Sequence, residues 1–421
     1  MIDHPILVAL QNAGIKMGLR DTRSFLSWIG DPHLAYPVIH VAGTNGKGSV
    51  CRFVGAMLEA QGYRVGIHTS PHLQEVNERF RLGATPVDDA RLDRLLQETD
   101  VARRAWAAEH CLPDEAWPLS YFEMTTVAAY KLFAEERVDA AVVEVGMGGR
   151  LDATNVCAPT VTAIISVGLD HTQQLGPDHA AIAAEKAGIL KPGVPAVLGP
   201  MSHSALSVIR TVAVERGVPL HIYGSDFVAR GDSDGFSWRS GTLELDGLRT
   251  ALAGDHQMVN AAVALKLVSL LPQQLRVSEA AMREGLSRAR NRGRMEWLAP
   301  DLLVDGAHNL DGAQVLAGYL KRLRRDRPRT LLLGAGYDKD VRAVAAVIAP
   351  NVDRVFTTTC AHPRARSPYE VARELEGLNV PVTPAGAIED ALEVARNGRD
   401  LVVVAGSLFL VGAVRNQLGL H

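Results

Sequence analysis

The chain has 421 residues, of which 47% are hydrophobic and 22% are charged. This composition excludes a disordered chain, and the length corresponds to about two or three domains. The 44 basic and 47 acidic residues leave a formal charge of −3, which argues against non-specific nucleic-acid binding because such binding needs a cationic surface.

The cysteines indicate neither a disulfide framework nor a structural zinc site, because Cys51, Cys111, Cys157 and Cys360 form no CxxC pair. The longest nearly apolar run, residues 401 to 414, is too short to cross a bilayer, and the N-terminus lacks the pattern of a signal peptide. We therefore expect a soluble cytoplasmic protein with reduced thiols that binds no membrane.

The first half of the chain alternates runs rich in Val and Ile with segments of helical periodicity, which predicts a buried parallel sheet covered by helices. We expect strands at residues 38–42, 140–145 and 161–167, and helices at residues 49–60, 122–134, 179–190 and 256–271.

The pattern changes to short alternating segments between residues 223 and 254, where Asp246-Gly247 predicts a hairpin turn. This stretch indicates a small antiparallel addition to the first domain. The polar, arginine-rich run at residues 287–294 favours a domain boundary near Gly293.

Alternating strands and helices resume after this boundary, with strands expected at residues 302–306, 330–336, 353–359 and 401–406. The fold class is therefore α/β: a larger parallel-sheet domain (1–293), then a smaller doubly wound, Rossmann-like domain (294–421). The basic stretch at residues 321–329 is interpreted as a solvated helix end.

The segment VAGTNGKGSV (41–50) predicts a phosphate-binding loop between a buried strand and a helix. Glycines let backbone amides approach phosphate oxygens, Lys47 supplies positive charge, and Ser49 can reach a magnesium ion. The loop departs from GxxxxGK[ST], because Val41 replaces the first glycine and Gly48 separates Lys47 from Ser49. The alternative is a glycine-rich turn with no ligand.

The GTNGKGS form of this loop resembles that of the folylpolyglutamate synthase and dihydrofolate synthase family, relatives of the peptidoglycan Mur ligases. The resemblance extends over nearly the whole chain, through IKMGL (15–19), TSPHL (69–73), YFEMTT (121–126), VEVGMGGRLDATN (143–155), GLDHTQQLG (168–176), EKAGILKPG (185–193), LVDGAHNLDGA (303–313) and GSLFLVGAVR (406–415). It implies a P-loop ATPase domain in the first part of the chain. The ATP contacts that it implies are Gly43, Thr44, Asn45, Gly46, Lys47, Gly48, Ser49, Asn260, Arg294 and Asp305.

Three side chains follow predicted strands and could converge on a divalent metal beside the loop. Because open α/β sheets bind ligands at the carboxyl ends of their strands, Ser70, Glu144 and His171 are placed together. The resemblance implies that they hold Mg²⁺ with Ser49. Alternatively, His171 caps a helix and Glu144 pairs with an arginine such as Arg150.

Lys186 lies in a predicted helix, and the resemblance implies that it is carbamylated and acts as a carboxylate at the metal. The alternative is a lysine on the helix surface. The second domain places Asp305 at the end of a strand and His308 in the following loop. The resemblance implies that His308 lies near the reacting groups, whereas a loop histidine is as often a helix cap or a surface group.

The resemblance also implies three pterin-binding segments, one of which carries Phe122 as an aromatic face and Glu123 and Thr125 as hydrogen-bonding groups. By sequence pattern alone, a phenylalanine such as Phe122 is more often a core residue. Asp152 is a speculative base for the attacking amine. The implied contacts are Lys16, Met17, Gly18, Leu19, Phe122, Glu123, Met124, Thr125, Leu151, Asp152 and Ala153.

The activity implied is the ATP-dependent joining of L-glutamate to dihydropteroate, and to the glutamate tails of reduced folates, through an acyl phosphate. A carboxylate needs this activation because oxide is a poor leaving group. We expect a monomer with small-molecule substrates. The alternatives are folylpolyglutamate synthase activity alone, a Mur-type amino-acid ligase, and, in another class, a P-loop nucleotide switch.

Overall fold

The structure is a computed structural model that describes residues 4–10, 14, 16–110, 119–359, 362, 365–396 and 398–420. Ile15 of the IKMGL segment, Cys111 and Cys360 lie outside these residues. Cys51 and Cys157 are buried free thiols. Within the described ranges, every helix is too short or too polar to traverse a membrane.

The first sheet joins eight strands in the order β4-β3-β2-β5-β1-β6-β7-β8. They are β1 (Val38–Ala42), β2 (Val65–His68), β3 (Phe80–Leu82), β4 (Thr85–Pro86), β5 (Ala140–Glu144), β6 (Pro159–Ile164), β7 (Ala196–Leu198) and β8 (Leu220–Ile222). Six neighbouring strands pair in parallel, namely β2, β5, β1, β6, β7 and β8. Strands β3 and β4 extend the β2 edge in antiparallel orientation. Every residue of β1 is buried, which explains its continuous apolar sequence.

The helices before residue 290 cover the first sheet. They are α1 (Pro5–Leu10), α2 (Arg20–Trp28), α3 (Lys47–Ala60), α4 (Asp89–Glu109), α5 (Tyr121–Glu135), α6 (Thr172–Leu175), α7 (His179–Ala187), α8 (His203–Arg216), α9 (His256–Ser269) and α10 (Glu279–Arg288). Val50, Phe53, Val54 and Met57 of α3 face the sheet at helical spacing and are fully buried. Helix α3 is therefore fixed firmly behind the loop that precedes it.

A three-stranded antiparallel sheet follows, formed by β9 (Phe227–Gly231), β10 (Phe236–Ser240) and β11 (Leu243–Leu248). Its Trp238 and Leu245 share one apolar core with Ile39 of the first sheet, as expected for an addition to the first domain. The predicted turn at Asp246-Gly247 is wrong. These residues lie within β11, where Gly247 has φ +64° and the pairing register shifts, so the pair forms a bulge rather than a hairpin turn.

The third sheet has the order β12-β13-β17-β14-β15-β16 and pairs in parallel except at β12. Its strands are β12 (Glu296–Ala299), β13 (Leu302–Val304), β14 (Arg329–Leu333), β15 (Arg354–Thr357), β16 (Val382–Pro384) and β17 (Leu401–Ala405). Its helices are α11 (Leu310–Arg322), α12 (Val341–Ile348), α13 (Pro368–Glu374), α14 (Ile388–Arg396) and α15 (Leu408–Gln417). The α/β fold class is confirmed.

Several boundaries differ from the sequence-based expectation. Helix α3 begins at Lys47 rather than Ser49, and α7 ends at Ala187 because Gly188 packs against the backbone of Arg150. The basic stretch is only partly a solvated helix end. Arg329 is buried in β14, where its guanidinium donates to the carbonyls of Leu320 and Leu323 at the end of α11.

Candidate active site

The loop between β1 and α3 is held in one conformation by short backbone contacts. The Thr44 amide donates to the Ser166 carbonyl (3.0 Å), and the Asn45 amide donates to the Ser166 hydroxyl (2.9 Å). Gly46 has φ +87°, and a Cβ there would lie 2.6 Å from Oδ1 of Asn260. Only glycine fits this position, because both the backbone angle and the space exclude a side chain.

This loop lines a cavity of about 790 Å³ that lies between the carboxyl ends of the first and third sheets. The cavity collects most of the ATP-binding, metal-binding and catalytic residues expected from sequence. Those that line it are Gly43, Thr44, Asn45, Gly46, Lys47, Gly48, Ser49, Ser70, Glu144, His171, Lys186, Asn260, Arg294, Asp305 and His308.

Glu144 ends β5 and is buried at the cavity wall, where the Ser70 amide donates to it (3.2 Å) and Lys47 Nζ lies 4.0 Å away. Burial raises the pKa of this carboxyl, and the charge of Lys47 opposes that rise. The expected alternative pairing with Arg150 is wrong, since Arg150 pairs with Glu185 at 2.7 Å. Glu144 therefore faces the phosphate loop.

The other expected metal ligands also offer oxygen or nitrogen atoms at this wall. The Ser49 hydroxyl accepts hydrogen bonds from Gln257 (3.2 Å) and Asn291 (3.1 Å). His171 stands at the first position before α6, but its side chain makes no capping hydrogen bond there, so the alternative role as a helix cap is wrong. Among the described residues, no three His, Cys, Asp or Glu side chains group closely enough to hold a metal by themselves. A metal here would depend on serine hydroxyls and on phosphate oxygens.

Lys186 is a buried residue of α7, with 3% of its surface exposed, so the alternative of a surface lysine is wrong. Burial, together with the charge of Lys47, lowers the pKa of its amine to about 7. A substantial fraction of this lysine is uncharged at neutral pH, which is the form that can react as a nucleophile.

Asp305 directly follows β13. Its carboxylate stabilises the loop from Asp305 to His308, which lines the cavity on the side of the second domain. It accepts hydrogen bonds from the amides of Met295 and Ala307, both at 2.8 Å. Burial raises the pKa of Asp305, and the charge of Arg294 opposes that rise. His308 Nδ1 donates to the Gly306 carbonyl (2.8 Å), which leaves Nε2 as the nitrogen able to take a proton.

A polar network connects the two sides of the cavity. Lys339 Nζ lies 2.7 Å from Oδ1 of Asp170, and His308 Nε2 lies 3.4 Å from its Oδ2. Although burial alone would raise it, the hydrogen bond to His308 and the charges of His171, His308 and Lys339 hold the pKa of Asp170 well below its usual range. The Asn45 side-chain amide donates to Oδ1 of Asn309 (3.3 Å), so the phosphate loop itself contacts the second domain.

Residues 293–408 match the family model described as "Mur ligase, glutamate ligase domain". Over 420 aligned residues the chain is 32% identical to the dihydrofolate synthase/folylpolyglutamate synthase of Bacillus subtilis (strain 168), covering 96% of each chain. The chain belongs to the dihydrofolate synthase/folylpolyglutamate synthase family. The resemblance noted in the sequence is thereby confirmed, and the chain is grouped with ATP-dependent ligases.

Solved structures of this family have the same fold. The folylpolyglutamate synthase of Mycobacterium tuberculosis, in complex with ADP and AMPPCP, matches with a TM-score of 0.91 at 31% identity and 99% coverage of each chain. A bifunctional folylpolyglutamate synthase/dihydrofolate synthase with Mn, AMPPNP and L-glutamate bound matches with a TM-score of 0.87 at 31% identity, covering 99% of this chain and 98% of that one. The nucleotide and the divalent metal are ligands of those proteins.

The segments expected to bind the pterin lie outside the set of residues that line the cavity. Glu123 closes a capping box with Ser120 and accepts a hydrogen bond from Thr22, and Thr125 donates to the Phe122 carbonyl. Both side chains therefore stabilise the start of α5, and a role of Glu123 and Thr125 in binding a ligand stays a prediction. Met124 is fully buried in the core beneath it.

Phe122 has a different position, since it is only partly buried and packs its ring over Gly146, which lines the cavity. The expected base Asp152 is buried, and its carboxylate accepts hydrogen bonds from the amides of Met147 (2.9 Å) and Thr154 (3.0 Å). Asp152 therefore shapes the loop that holds Met147 and Thr154, and its role as a base stays a prediction. Ala153 is buried beside it, Leu151 is partly buried, and Lys16 to Leu19 precede α2 with Met17 42% exposed.

Four polar residues of the site were missed by sequence reasoning: Asp170, Lys339, Gln257 and Asn291. Asp170 precedes His171 in GLDHT, and Lys339 follows the strand TLLLG, so the rule that polar residues at strand ends converge would have found both. Gln257 and Asn291 carry no comparable signal, because they reach Ser49 from α9 and from the segment after α10.

Proposed function

We propose that this protein joins L-glutamate to dihydropteroate and to the glutamate tails of reduced folates, using ATP. The observation that carries this proposal is the cavity in which the Lys47 loop faces the Asp305–His308 loop of the glutamate ligase domain. The Bacillus subtilis relative is named for both activities, which supports dihydropteroate and reduced folates as the two classes of acceptor.

The proposed reaction has two steps. A carboxylate oxygen of the acceptor attacks the γ-phosphorus of ATP, and the bond to the β-phosphate oxygen breaks, which releases ADP and leaves an acyl phosphate. The amino group of glutamate then attacks the acyl carbon, and phosphate leaves with the former carboxylate oxygen. Lys47 and the loop amides stabilise the charge on the transferring phosphoryl group.

The amine of glutamate must lose a proton in the second step. His308 is placed for this role, because its Nδ1 is committed to the Gly306 carbonyl and its Nε2 faces the cavity. Oδ2 of Asp170 lies 3.4 Å from the same Nε2, so this carboxylate would stabilise the proton that His308 takes up.

The residues present fit a divalent metal that prefers oxygen ligands. The buried Glu144 carboxylate, the hydroxyls of Ser49 and Ser70 and the imidazole of His171 would hold Mg²⁺, and a carbamylated Lys186 would add a further carboxylate. When bound, Mg²⁺ would neutralise charge on the phosphate oxygens. The low pKa of Lys186 supports carbamylation, since only a neutral amine reacts with carbon dioxide.

We also propose Gly293 as the boundary between residues 1–293 and 294–421, and a monomer as the active form. The boundary is supported by the start of the matched family model at residue 293 and by the first strand of the third sheet at Glu296. Size-exclusion chromatography with light scattering tests the monomer.

The function is tested by ADP release with dihydropteroate and glutamate, supplied singly and together, and by mass spectrometry of the products. We expect release only with both substrates, and an amide product from dihydropteroate as well as from tetrahydrofolate. Product from tetrahydrofolate alone would reduce the function to folylpolyglutamate synthesis. ADP release that ignores both substrates would contradict the ligase assignment.

A further inference from the structure

Three arginines from separate segments meet beside the active-site cavity. Arg52 lies on α3, Arg81 on β3, and Arg292 on the segment between α10 and β12. They are close enough to act on one another: the charge of Arg292 lowers the pKa of Arg52, and the charges of Arg52 and Arg292 lower the pKa of Arg81. We call this set the arginine cluster.

The arginine cluster lacks a carboxylate partner of its own. Arg52 donates only one long hydrogen bond, from Nη2 to the Thr69 hydroxyl at 3.4 Å, while its Nη1 and the Nε of Arg81 are buried without a partner. Among the residues that the structure describes, none of the three guanidinium groups forms a salt bridge.

The glutamates whose charges act on Arg52 and Arg81 are Glu59, Glu78 and Glu144, and each already has other partners. Glu144 accepts a hydrogen bond from the Ser70 amide and faces Lys47. The Glu78 carboxylate accepts hydrogen bonds from the amides of Leu73 (3.0 Å), Gln74 (2.8 Å) and Glu75 (3.1 Å). The Glu59 carboxylate accepts one from the Ala84 amide (3.3 Å). These carboxylates stabilise the turns around the arginine cluster and leave its inner nitrogen atoms unpaired.

Burial disfavours the charged form of two guanidinium groups of the arginine cluster. Desolvation is the main cause that lowers the pKa of Arg81 to about 9, and it also lowers the pKa of Arg52. A buried guanidinium without an anion is unfavourable, since it loses water and gains no partner. A bound anion would remove this penalty, so the arginine cluster has the electrostatic character of an anion site.

The arginine cluster adjoins the cavity through two segments. Thr69, which contacts Arg52, precedes Ser70 of the cavity wall. Asn291, which precedes Arg292, donates to the hydroxyl of Ser49 in the phosphate loop. An anion at the arginine cluster would therefore be a near neighbour of the place where the acceptor carboxylate reacts.

We propose that Arg52, Arg81 and Arg292 bind the carboxylates of the glutamyl chain on a folate substrate. This inference rests on the proposed function, in which the chain end enters the cavity. Each added glutamate leaves one α-carboxylate along the chain, and guanidinium groups pair with carboxylates through two parallel hydrogen bonds. Dihydropteroate has no glutamyl chain, so the arginine cluster distinguishes the two acceptor classes.

The test is a comparison of KM and kcat for two acceptors, tetrahydropteroyl-triglutamate and dihydropteroate, in Arg81→Gln and Arg292→Gln. We expect KM for the triglutamate to rise about tenfold in either variant, because a charged hydrogen bond is lost, with KM for dihydropteroate unchanged. Arg292 is exposed, so its variant should fold even if Arg81→Gln does not. The matched control is Arg249→Gln, an exposed arginine outside the arginine cluster, which should alter neither acceptor.

Equal effects on both acceptors, or no effect on either, would overturn the inference. Titration calorimetry measures the affinity of γ-linked triglutamate for the wild type and for Arg292→Gln. It shows independently of turnover whether the arginine cluster binds this peptide. We expect binding that weakens in the variant. Inorganic phosphate that displaces the peptide at equal concentration would show a general anion site and overturn the glutamyl assignment. A wild type that binds the peptide but does not turn over would contradict the proposed function, not this site.

Discussion

Lys186 shows how burial changes the chemistry of a single side chain. A lysine on the surface is protonated at neutral pH, but the buried amine of Lys186 has a pKa lowered to about 7 by desolvation and by the charge of Lys47. Above that pH most of the amine is neutral, and only the neutral amine forms a carbamate.

We predict that replacement of Lys186 by glutamate keeps part of the activity, because glutamate supplies a permanent carboxylate, whereas Lys186→Ala loses activity by about a hundredfold. After removal of carbon dioxide, the wild type should regain activity on addition of bicarbonate adjusted to give the same dissolved carbon dioxide at each pH, and faster at about pH 8 than at about pH 6, since deprotonation of the amine increases through pH 7. Steady-state assays measure both effects.

Lys186→Glu should not respond to bicarbonate, and Lys321→Glu, at the exposed end of α11, should respond like the wild type. An inactive Lys186→Glu variant that still binds magnesium would argue against the carbamate.

Most of the individual residues that line the cavity could be predicted from sequence, because glycines, a lysine and acids at strand ends are strong local signals. Partners of these residues were harder to find. Glu123 was expected to contact a ligand. The pattern S-x-x-E at Ser120 and Glu123 also predicts a capping box, and this is the structural role that Glu123 has at the start of α5. Of the four missed residues, Gln257 and Asn291 act through distant segments, and their contacts with Ser49 exist only in the folded chain.

The loop-helix element from Gly43 to Ala60 is the rigid part of the site. Its strand, turn and helix order was predictable, and the helix begins two residues earlier than expected because Gly46 already turns the chain at φ +87°. The bulge at Gly247 in β11 was not predictable, since Asp-Gly is equally suited to a hairpin turn and the pairing partner decides between them.

We predict that Gly46→Ala abolishes nucleotide binding, because the new Cβ would lie 2.6 Å from Asn260 Oδ1 and 2.9 Å from Ile165 Cγ2. Gly62→Ala is the matched control, since Gly62 also has positive φ (+98°) but would have no atom within 4 Å of its Cβ. Both variants should lose about 1 kcal/mol of stability from backbone strain. Calorimetry with ADP should detect a loss only for Gly46→Ala, and equal affinities in the two variants would refute the loop assignment.

At the scale of the whole molecule, the cavity exists because two sheets present their carboxyl ends to each other. The α/β alternation predicted both sheets, but it could not show that Asp170 and Lys339 would meet across the cleft, which depends on how the two sheets are oriented. This contact joins the two sides of the cavity, and we expect it to favour closure and to keep water from the acyl phosphate.

We predict that Lys339→Gln uncouples the reaction, so that ADP is released several-fold faster than amide forms. The loss of the 2.7 Å ion pair with Asp170 weakens closure and admits water. Parallel assays of ADP and product measure the ratio, and Lys321→Gln should keep it at one. A Lys339→Gln variant with fully coupled turnover would show that this contact does not control water.

The central claim is that the γ-phosphate of ATP passes to the carboxylate of the acceptor before glutamate attacks. Dihydropteroate labelled with ¹⁸O in its carboxylate tests it directly. We expect one labelled oxygen to appear in the inorganic phosphate released with each amide formed. Phosphate that carries no label, although amide accumulates, would contradict it.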